Sequence, residues 1–493
     1  MSKNHFLYGF LNPKSVAFFG ANNKGGSLAA IQIMNLIKSE YSGNVYPIHP
    51  KLETVMGFKT YKTIADVPEI PDLVVIVLTA KIVPQVFREC GEKGVNKIIL
   101  ISGGFRELSG DRKNTLTEEI NDIAQKYGMR FIGPNCLGVF NNWFEKSNSS
   151  SAFNIAIWEH LKKGNFSIAS QSGTLSSHIW FDPESLDLGL SKSLSVGNEA
   201  NIDIVDCLEY YKDDEETEVI GLYIEELKRG RMFLDLAREI SLKKPIIAIY
   251  VGGSQGGNRA LKSHTGSLGG DSKIYNAVFK ETGIIKTNYV QEFLDIALIL
   301  SNKILPKSNR IGIITNSGGP GAMIANNADK HGLIVPEFSE SLQNELKSIL
   351  PTTAGFNNPV DCTFDMNLPY FYVNLPEIIM KSGEVDAIFQ YGVVGFQDVM
   401  KDYLRNDTIA KWAEFQNQSE ESMDKLADQL LQPTMKNSQK YSIPIFYINP
   451  MSFTSPWSKR LRRNGAMLFK LWDRPVNALA KVCEYVEYRQ KQK

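Results

Sequence analysis

Residues 263–270 read SHTGSLGG, so one histidine, His264, stands in a turn-like segment of glycines and hydroxyl-bearing residues. No second histidine or cysteine lies within several positions, which excludes the closely spaced ligands of a local metal site. Without a metal, a histidine can act as a nucleophile that carries a phosphoryl group. That chemistry needs one free ring nitrogen and a carboxylate that fixes the other ring N–H. The alternative is a structural histidine held by hydrogen bonds.

The carboxylate that would orient His264 is predicted just after the apolar run GLYI, where Glu225 and Glu226 follow a strand. Open α/β sheets place their sites at this carboxyl end of the strands. Two turns, ASQSGTLSS at 169–177 and TNSGGPGAMIAN at 315–326, put glycines and hydroxyls between an apolar strand and a helix. Such turns direct free backbone N–H groups and the positive helix end at one anion. The alternative for each is a glycine turn that only allows close helix packing.

A third turn, GANNKGGSLAA, follows the first predicted strand and has the composition of a nucleotide-type pocket. A dinucleotide fingerprint requires G-x-G-x-x-G, but Gly20 is followed by Ala21 and Asn22. The second glycine is absent, so an NAD-dependent oxidoreductase is disfavoured. The stretch GGNRALKS at 256–263 is not a Walker A loop, because Leu261 stands where that motif needs glycine. Any ATP used is expected to bind elsewhere.

Three successive α/β units must position these residues. Apolar, β-rich runs alternate with helical patterns, which is typical of parallel sheets covered on both faces. The predicted fold class is α/β, with a Rossmann-like domain over 1–142, a second domain over 143–303 and a third over 308–493. The second domain starts with a linker that contains the hydroxyl-rich stretch KSNSSSAFN. The third carries a polar, helical insertion near 397–440.

Length and composition bound the class of protein. At 493 residues the chain is too long for one ordinary core. Apolar residues make up 43% and charged residues 22%, and Lys plus Arg balances Asp plus Glu at 54 each. No net field favours nucleic acid or an anionic membrane, and no apolar run reaches the ~18 residues of a membrane span. Five scattered cysteines and the lack of a signal-peptide pattern predict a cytoplasmic protein.

A series of short motifs runs along the chain: GANNKGG, YPIHPK, IPDLVVIVLTA, ISGGFRE, GPNCLG, SQSGTL, SVGNEANID, YIEEL, SHTGSLGG, NSGGPGAM and NNPVDCT. In this series the chain resembles the alpha subunits of the nucleoside-diphosphate-forming (ADP-forming) acyl-CoA synthetases over nearly its whole length. Its first two domains more distantly resemble the succinyl-CoA synthetase alpha chain. The resemblance implies a Rossmann-like CoA-binding domain followed by two flavodoxin-like domains, the first of which carries a phosphohistidine.

The resemblance also implies an activity. In that family, acyl-CoA and phosphate give an acyl phosphate, the phosphoryl group passes to a histidine, and the phosphohistidine then reaches ADP. ATP or ADP and Mg²⁺ bind on an ATP-grasp beta subunit, and the expected assembly is a homodimer or a heterotetramer. No metal is expected on this chain.

The family motifs assign residues by position. His264 matches the phosphorylated histidine, and Glu225 matches the glutamate that orients it. The two phosphate-binding helix ends correspond to Ser172, Gly173 and Thr174, and to Gly318, Gly319 and Gly321. The CoA site corresponds to Gly20, Ala21, Asn22, Lys51, Ser102, Gly103, Asn135 and Cys136. Lys51 would pair with a CoA phosphate. For Cys136, an inert buried thiol and a catalytic role stand as equal alternatives.

Two positions depart from the family pattern. Before the histidine the family usually has K-x-G-R-S, but Tyr250 and Gly253 stand where the lysine and the arginine are expected. The alternative function is therefore a CoA-binding regulatory protein of the same fold with reduced or no turnover. A larger or aromatic acyl group is a further hypothesis, based on four aromatic residues that follow the Cys136 turn: Trp143, Phe144, Phe153 and Trp158.

Overall fold

The structure is a computed structural model of the chain. It describes residues 2–105, 112–144, 151–159, 161–181, 187–264, 270–363, 367–392, 403, 405–412 and 420–492. The chain forms two compact units, Met1–Phe293 and Leu294–Lys493. Within the described residues, the first unit contains two large sheets and the second unit contains one.

The first sheet is parallel, and a short antiparallel hairpin follows its second strand. The strands are β1 (Ser15–Phe19), β2 (Asn44–Ile48), the hairpin strands β3 (Thr54–Val55) and β4 (Phe58–Lys59), β5 (Leu73–Ile76), β6 (Lys97–Leu100) and β7 (Arg130–Ile132). The helices are α1 (Tyr8–Leu11), α2 (Leu28–Lys38), α3 (Val83–Lys93) and α4 (Arg112–Lys126). Strands β1 and β5 are buried at every position, as expected for a sheet covered on both faces.

The second sheet joins parallel strands to two antiparallel edge strands. Its strands are β8 (Val139–Asn141), β9 (Phe153–Asn154), β10 (Lys163–Ser170), β11 (Leu190–Ser195), β12 (Val219–Ile224), β13 (Ile246–Tyr250) and β14 (Ile285–Thr287). The helices are α5 (Gly173–His178), α6 (Ile204–Asp213), α7 (Gly230–Ser241), α8 (Gln255–His264) and α9 (Ser272–Thr282), and α10 (Val290–Ser301) follows β14 and contains the division between the two units.

The third sheet, in the second unit, is again parallel. Its strands are β15 (Ile311–Thr315), β16 (Val360–Asp361), β17 (Ala387–Tyr391), β18 (Ile445–Ile448) and β19 (Met467–Phe469). The helices are α11 (Gly318–Lys330), α12 (Glu340–Lys347), α13 (Leu375–Ser382), α14 (Asp407–Trp412), α15 (Glu420–Tyr441), α16 (Pro456–Arg463) and α17 (Asp473–Lys491).

All three sheets share one strand order. Numbered along the chain, the parallel strands of each sheet stand as 2-1-3-4-5: β2-β1-β5-β6-β7, β11-β10-β12-β13-β14 and β16-β15-β17-β18-β19. In this doubly wound order, ligands bind at the carboxyl end of the first strand, where the direction of winding reverses. The first strands end at Phe19, Ser170 and Thr315. Each of the three turns singled out in the sequence therefore lies at the switch point of its own sheet.

The α/β class is confirmed, and two segments add detail to the predicted organisation. The chain enters the second sheet at Val139, ahead of the predicted boundary at 142, because β8 pairs antiparallel with β11. Strand β9 extends this edge from within the expected linker. In the predicted insertion, α15 buries Leu430 and Leu431 in the core of the third sheet, and residues 393–402, 404 and 413–419 lie outside the described ones. None of the described helices is long and apolar enough to cross a membrane.

Candidate functional site

The turn after β1 is folded by Asn22. Its side-chain nitrogen donates to the carbonyl of Gly20 at 3.1 Å, and its side-chain oxygen accepts the Ser27 hydroxyl at 2.8 Å. Ser27 in turn caps the start of α2. The Asn22 side chain is thus used to shape the turn. The exposed Gly25 and Gly26 face open space, since an added Cβ would meet no atom within 4 Å, and their backbone is accessible to a ligand.

Gly20 and Ala21 make this turn possible through their small size. Gly20 has a φ of +86°, and a Cβ there would lie 2.0 Å from the carbonyl oxygen of Val77. Ala21 is fully buried. Both residues therefore set the path of the backbone at the end of β1, and of the two only the partly exposed Gly20 offers its backbone to a ligand.

Lys51 is exposed in the turn that follows β2. The imidazole of His49 accepts the backbone N–H of Lys51 at 3.1 Å, which closes this turn. Asn23 ties it to the β1 turn, because its side chain donates to Thr54 O at 3.0 Å and accepts Met56 N–H at 2.9 Å. An exposed lysine and an open glycine turn at one sheet edge fit a phosphate-bearing ligand.

Ser102, Gly103 and Asn135 come together where β6 and β7 end. The Ser102 hydroxyl accepts the N–H of Leu78 at 3.0 Å, and the Ser102 carbonyl accepts the N–H of Asn135 at 3.0 Å. Asn135 has a φ of +58°, and its side-chain oxygen lies 3.6 Å from the position that a Cβ on Gly103 would take. The predicted turn residues therefore form one connected group.

Cys136 is 3% exposed, and its sulfur lies 3.4 Å from the carbonyl oxygen of Leu100. Burial raises the pKa of this thiol to about 12. The thiol therefore keeps its proton at neutral pH, and a protonated thiol is a poor nucleophile. The structure favours the buried-thiol alternative for Cys136.

The loop after β7 packs between loops of the second sheet. The Asn135 side chain donates to the Asn198 side chain at 3.3 Å, and the Leu137 N–H donates to the hydroxyl of Ser195 at 3.1 Å. A Cβ on Gly173 would lie 2.8 Å from the Leu137 side chain. The predicted CoA turn and the predicted phosphate turn of the first unit therefore meet at Leu137.

Ser172, Gly173 and Thr174 form the turn after β10 and open α5. The Ser170 hydroxyl donates to the carbonyl of Ser172 at 2.6 Å and accepts the Ser172 N–H at 3.1 Å. The Ser172 hydroxyl caps α5 by accepting the N–H of Leu175 at 3.3 Å. Thr174 is exposed in the first helical turn, so both the backbone and a hydroxyl are accessible there.

Gln171 joins this turn to the predicted carboxylate. Its side-chain oxygen accepts the N–H groups of Glu225 and Glu226, the latter at 3.1 Å, and its nitrogen donates to the Glu226 carbonyl at 2.7 Å. Gln171 and Glu225 are 7% and 6% exposed. One amide thus fixes the backbone from which Glu225 extends. Gln171 was not among the predicted site residues, although an amide next to Ser170 and Ser172 was a usable signal.

Glu199 extends the same network and was also not predicted. It is 5% exposed, has a φ of +52° and accepts the N–H of Ile204 at 2.9 Å. Burial raises its pKa to about 8, although Lys228 and a hydrogen bond with Gln171 act in the opposite direction. Glu199 is therefore mostly protonated at neutral pH. The motif SVGNEANID marked this stretch, but composition gives no sign that its glutamate is buried.

His264 is the last residue of α8, which follows β13. Its side chain lies outside the described residues, as do residues 265–269. Strand β13 pairs with β12, the strand that ends just before Glu225. The segments that carry the two predicted catalytic residues therefore come from neighbouring strands of one sheet.

The second unit repeats the hydroxyl arrangement of the phosphate turn. The Thr315 hydroxyl donates to the carbonyl of Ser317 at 2.7 Å and accepts the Ser317 N–H at 3.0 Å. Gly318 then starts α11, and Gly319 is open, with no atom within 4 Å of an added Cβ. Gly321 is needed for packing, since a Cβ there would lie 2.8 Å from the Thr315 side chain.

Comparison with known proteins gives two family matches and several similar chains. The family described as "CoA binding domain" matches residues 14–142, and the family described as "Succinyl-CoA ligase like flavodoxin domain" matches residues 163–300. The chain is 40% identical over 385 residues to the acetate–CoA ligase [ADP-forming] II subunit alpha of Pyrococcus furiosus, covering 78% of this chain and 82% of that protein. The chain belongs to the alpha-subunit family of the ADP-forming acyl-CoA synthetases.

Two more matches, a longer relative and a solved structure, are similar to this ADP-forming acyl-CoA synthetase subunit. The acetate–CoA ligase [ADP-forming] of Methanocaldococcus jannaschii is 42% identical over 353 residues, which are 72% of this chain and 48% of that longer protein. The solved structure of the Ca. Korarchaeum cryptofilum dinucleotide-forming acetyl-coenzyme A synthetase 1, in complex with phosphate and ADP, matches with a TM-score of 0.80 at 28% identity. It covers 99% of this chain and 98% of that one. The resemblance and the fold class predicted from the sequence are confirmed.

Three of the four aromatic residues proposed for an acyl pocket of this synthetase subunit have packing roles. Phe153 is fully buried, the Phe144 ring packs at a tilt with its centroid 5.2 Å from that of Tyr41, and the Trp143 indole donates to the Gly164 carbonyl at 2.9 Å. They lend no support to an aromatic substrate. Trp158 instead lies 5.0 Å from the imidazole of His178, at the end of α5. Among the described residues, no group of histidine, cysteine or carboxylate side chains could hold a metal ion.

Proposed function

We propose that the chain interconverts acyl-CoA, ADP and phosphate with a carboxylic acid, CoA and ATP through an acyl phosphate and phosphorylated His264. A phosphate oxygen attacks the thioester carbonyl, the C–S bond breaks, and CoA leaves as its thiol. A ring nitrogen of His264 then attacks phosphorus, and the carboxylate leaves as the P–O bond to the acyl group breaks. The phosphoryl group passes finally to the terminal phosphate of ADP, which regenerates His264.

One observation carries this proposal. Within a single compact unit, direct contacts connect the predicted CoA site, the predicted phosphate turn and the turn that carries Glu225. The CoA-side loop reaches the phosphate turn where Leu137 meets Gly173. Gln171, in that phosphate turn, holds the backbone of Glu225 and Glu226. An acyl phosphate formed beside Gly173 would therefore arise next to the carboxylate that we assign to orient the histidine.

The remaining residues take supporting roles in this proposal. Lys51 and the open glycines after β1 bind phosphate groups of CoA. Ser172, Gly173 and Thr174 hold the phosphate that attacks the thioester, through backbone N–H groups and a hydroxyl. In the second unit, Gly318, Gly319 and Gly321 form a separate helix start that we also assign to phosphate binding.

The proposed reaction needs a partner that binds ATP or ADP with Mg²⁺, which we assign to an ATP-grasp beta subunit. The alpha-subunit name of the P. furiosus relative and the greater length of the M. jannaschii relative support a separate or fused second part. A heterotetramer or a homodimer in the cytoplasm completes the proposal. Acetate, named in both relatives, is the first acid to test.

Phosphoryl labelling tests the proposal directly. The full chain is incubated with the partner subunit and ATP labelled at its γ-phosphate, and acid-labile label on this chain is measured. We expect stoichiometric label that is lost in His264→Ala and kept in His331→Ala, a matched change at an exposed histidine. Label that survives in His264→Ala would contradict the assignment of the carrier.

The alternative, a CoA-binding regulatory protein, is distinguished by the same samples. The observation that favours it is the absence of the two usual cations at Tyr250 and Gly253. Such a protein would bind CoA in a calorimeter, yet take up no label and cleave no acyl-CoA. CoA binding together with labelling and turnover would exclude it.

A further inference from the structure

Tyr250, the last residue of β13, holds the far end of the SHTGSLGG segment. Its hydroxyl donates to the carbonyl of Gly270 at 2.9 Å and accepts the Gly270 N–H at 2.8 Å. Both backbone groups of one glycine thus bind to one side-chain oxygen, across 20 residues of chain. Tyr250 is 8% exposed, and burial raises its pKa, so the hydroxyl keeps the proton that it donates.

A second tyrosine supports the first. The rings of Tyr250 and Tyr275 stack with centroids 3.7 Å apart and planes 11° from parallel. The Tyr275 hydroxyl accepts the N–H of Leu227 at 3.0 Å, and Leu227 follows directly after Glu225 and Glu226. The tyrosine pair therefore connects the end of the histidine segment to the turn that carries the predicted orienting carboxylate.

Two glycines leave the space that this pair occupies, and a third leaves space for the start of α9. A Cβ on Gly252 would lie 2.4 Å from the Tyr250 hydroxyl, and a Cβ on Gly270 would lie 2.4 Å from the Tyr275 ring. Gly253 has a φ of +80°, and a Cβ there would lie 2.4 Å from Ser272, at the start of α9. Any side chain at these positions would displace a ring or the start of α9. The two rings can therefore stack at this edge of the sheet because Gly252 and Gly270 have no side chains.

We infer that Tyr250, backed by Tyr275, is a positioning residue that fixes the end of the histidine segment relative to the Glu225 turn. This inference rests on the proposed function. Six residue steps separate His264 from Gly270, so the fixed end keeps the histidine within at most about 20 Å of Gly270. Fixing Gly270 therefore limits the positions that the histidine can take relative to the Glu225 turn, which favours a productive approach to the phosphoryl group.

The test removes the hydroxyl and keeps the ring. In Tyr250→Phe, hydrogen exchange of the Gly270 amide should accelerate by about tenfold, because its acceptor is lost. The single-turnover rate of phosphoryl transfer to His264 should fall by about tenfold, as a misplaced nucleophile reacts more slowly. The dissociation constant of CoA should stay within about twofold, since the CoA residues lie on other strands.

A backbone variant gives a second route to the same result. Gly252→Ala pushes on the Tyr250 ring and should reproduce both effects. Gly256→Ala, also a glycine-to-alanine change but with no atom within 4 Å of the added Cβ, is the matched control and should leave both rates unchanged.

Three results would overturn the inference. Unchanged Gly270 exchange in Tyr250→Phe would show that the anchor does not exist. Faster exchange with an unchanged transfer rate would show that the anchor does not position the carrier. A transfer rate in Tyr250→Lys equal to or faster than that of wild type would show that transfer does not need the tyrosine anchor. If even the wild-type chain takes up no label, the proposed function fails, and the exchange measurement alone decides whether Tyr250 anchors Gly270.

Discussion

Replacing Glu199 by glutamine tests the buried network through its pH dependence. Burial raises the pKa of this carboxyl from its ordinary 4.5 to about 8. Between these two values the folded chain keeps a proton that the unfolded chain has released, so the free energy of unfolding falls as pH rises. The loss is about 1.4 kcal/mol for each pH unit, or at most ~5 kcal/mol over the whole window. The glutamine in Glu199→Gln does not titrate, so the variant escapes this loss.

The assay is urea unfolding of the full chain and of the Glu199→Gln variant at several pH values between about 5 and 8. From pH 5 to pH 8 the free energy of unfolding of the variant should rise by several kcal/mol relative to that of wild type. A constant penalty from altered hydrogen bonds, such as the one to Ile204, cancels in this comparison. Glu92→Gln, at an exposed site, should show a much weaker trend. An equal difference at both ends of the range would refute a protonated Glu199.

Two further substitutions test single groups in the first unit. Lys192 and Asp214 form an ion pair at 2.7 Å with both side chains 2% exposed, so Lys192→Met should cost about 3–5 kcal/mol in urea unfolding. Lys212→Met, which removes the more exposed ion pair of Lys212 with Glu239, should lower the free energy of unfolding by less than about 1 kcal/mol. Equal losses in the two variants would contradict the argument that burial makes the Lys192 pair costly to break. Cys136→Ala should keep acyl-CoA turnover within about threefold, because a buried, protonated thiol does no chemistry. A loss of about a hundredfold or more would restore the catalytic alternative.

The long strands were predictable because burial on both faces requires continuous apolar runs. The run EVIGLYIE gave β12, observed over Val219–Ile224, and RIGIITN gave β15, observed over Ile311–Thr315. Strands β9 and β16 were not predicted, since two residues are too short to show any periodicity. The location of the turns followed from the strands, because parallel strands end at one edge of a sheet.

The connections between the turns could not be predicted. Gln171 binds the backbone of Glu225 and Glu226 across more than fifty residues, and Tyr250 binds Gly270 across 20. Each bond depends on how separate strands align in the sheet, which residue types alone do not encode. At position 250 the sequence showed only that the usual lysine was absent. The structure shows what the tyrosine does there instead.

The predicted phosphate turns of the second and third sheets also bear on how this chain arose. SQSG at 170–173 and TNSG at 315–318 place a hydroxyl residue, an amide residue, a serine and a glycine at equivalent points of two sheets. Gln171 and Asn316 each donate their backbone N–H, at 3.3 Å, to a tyrosine carbonyl in the third strand of their own sheet. Duplication of one ancestral unit, followed by divergence that kept the strand order and the residue classes at these four positions, would leave this pattern. In such a history the predicted phosphate turn evolves once. After the duplication, selection acts separately on the ligand that each copy binds.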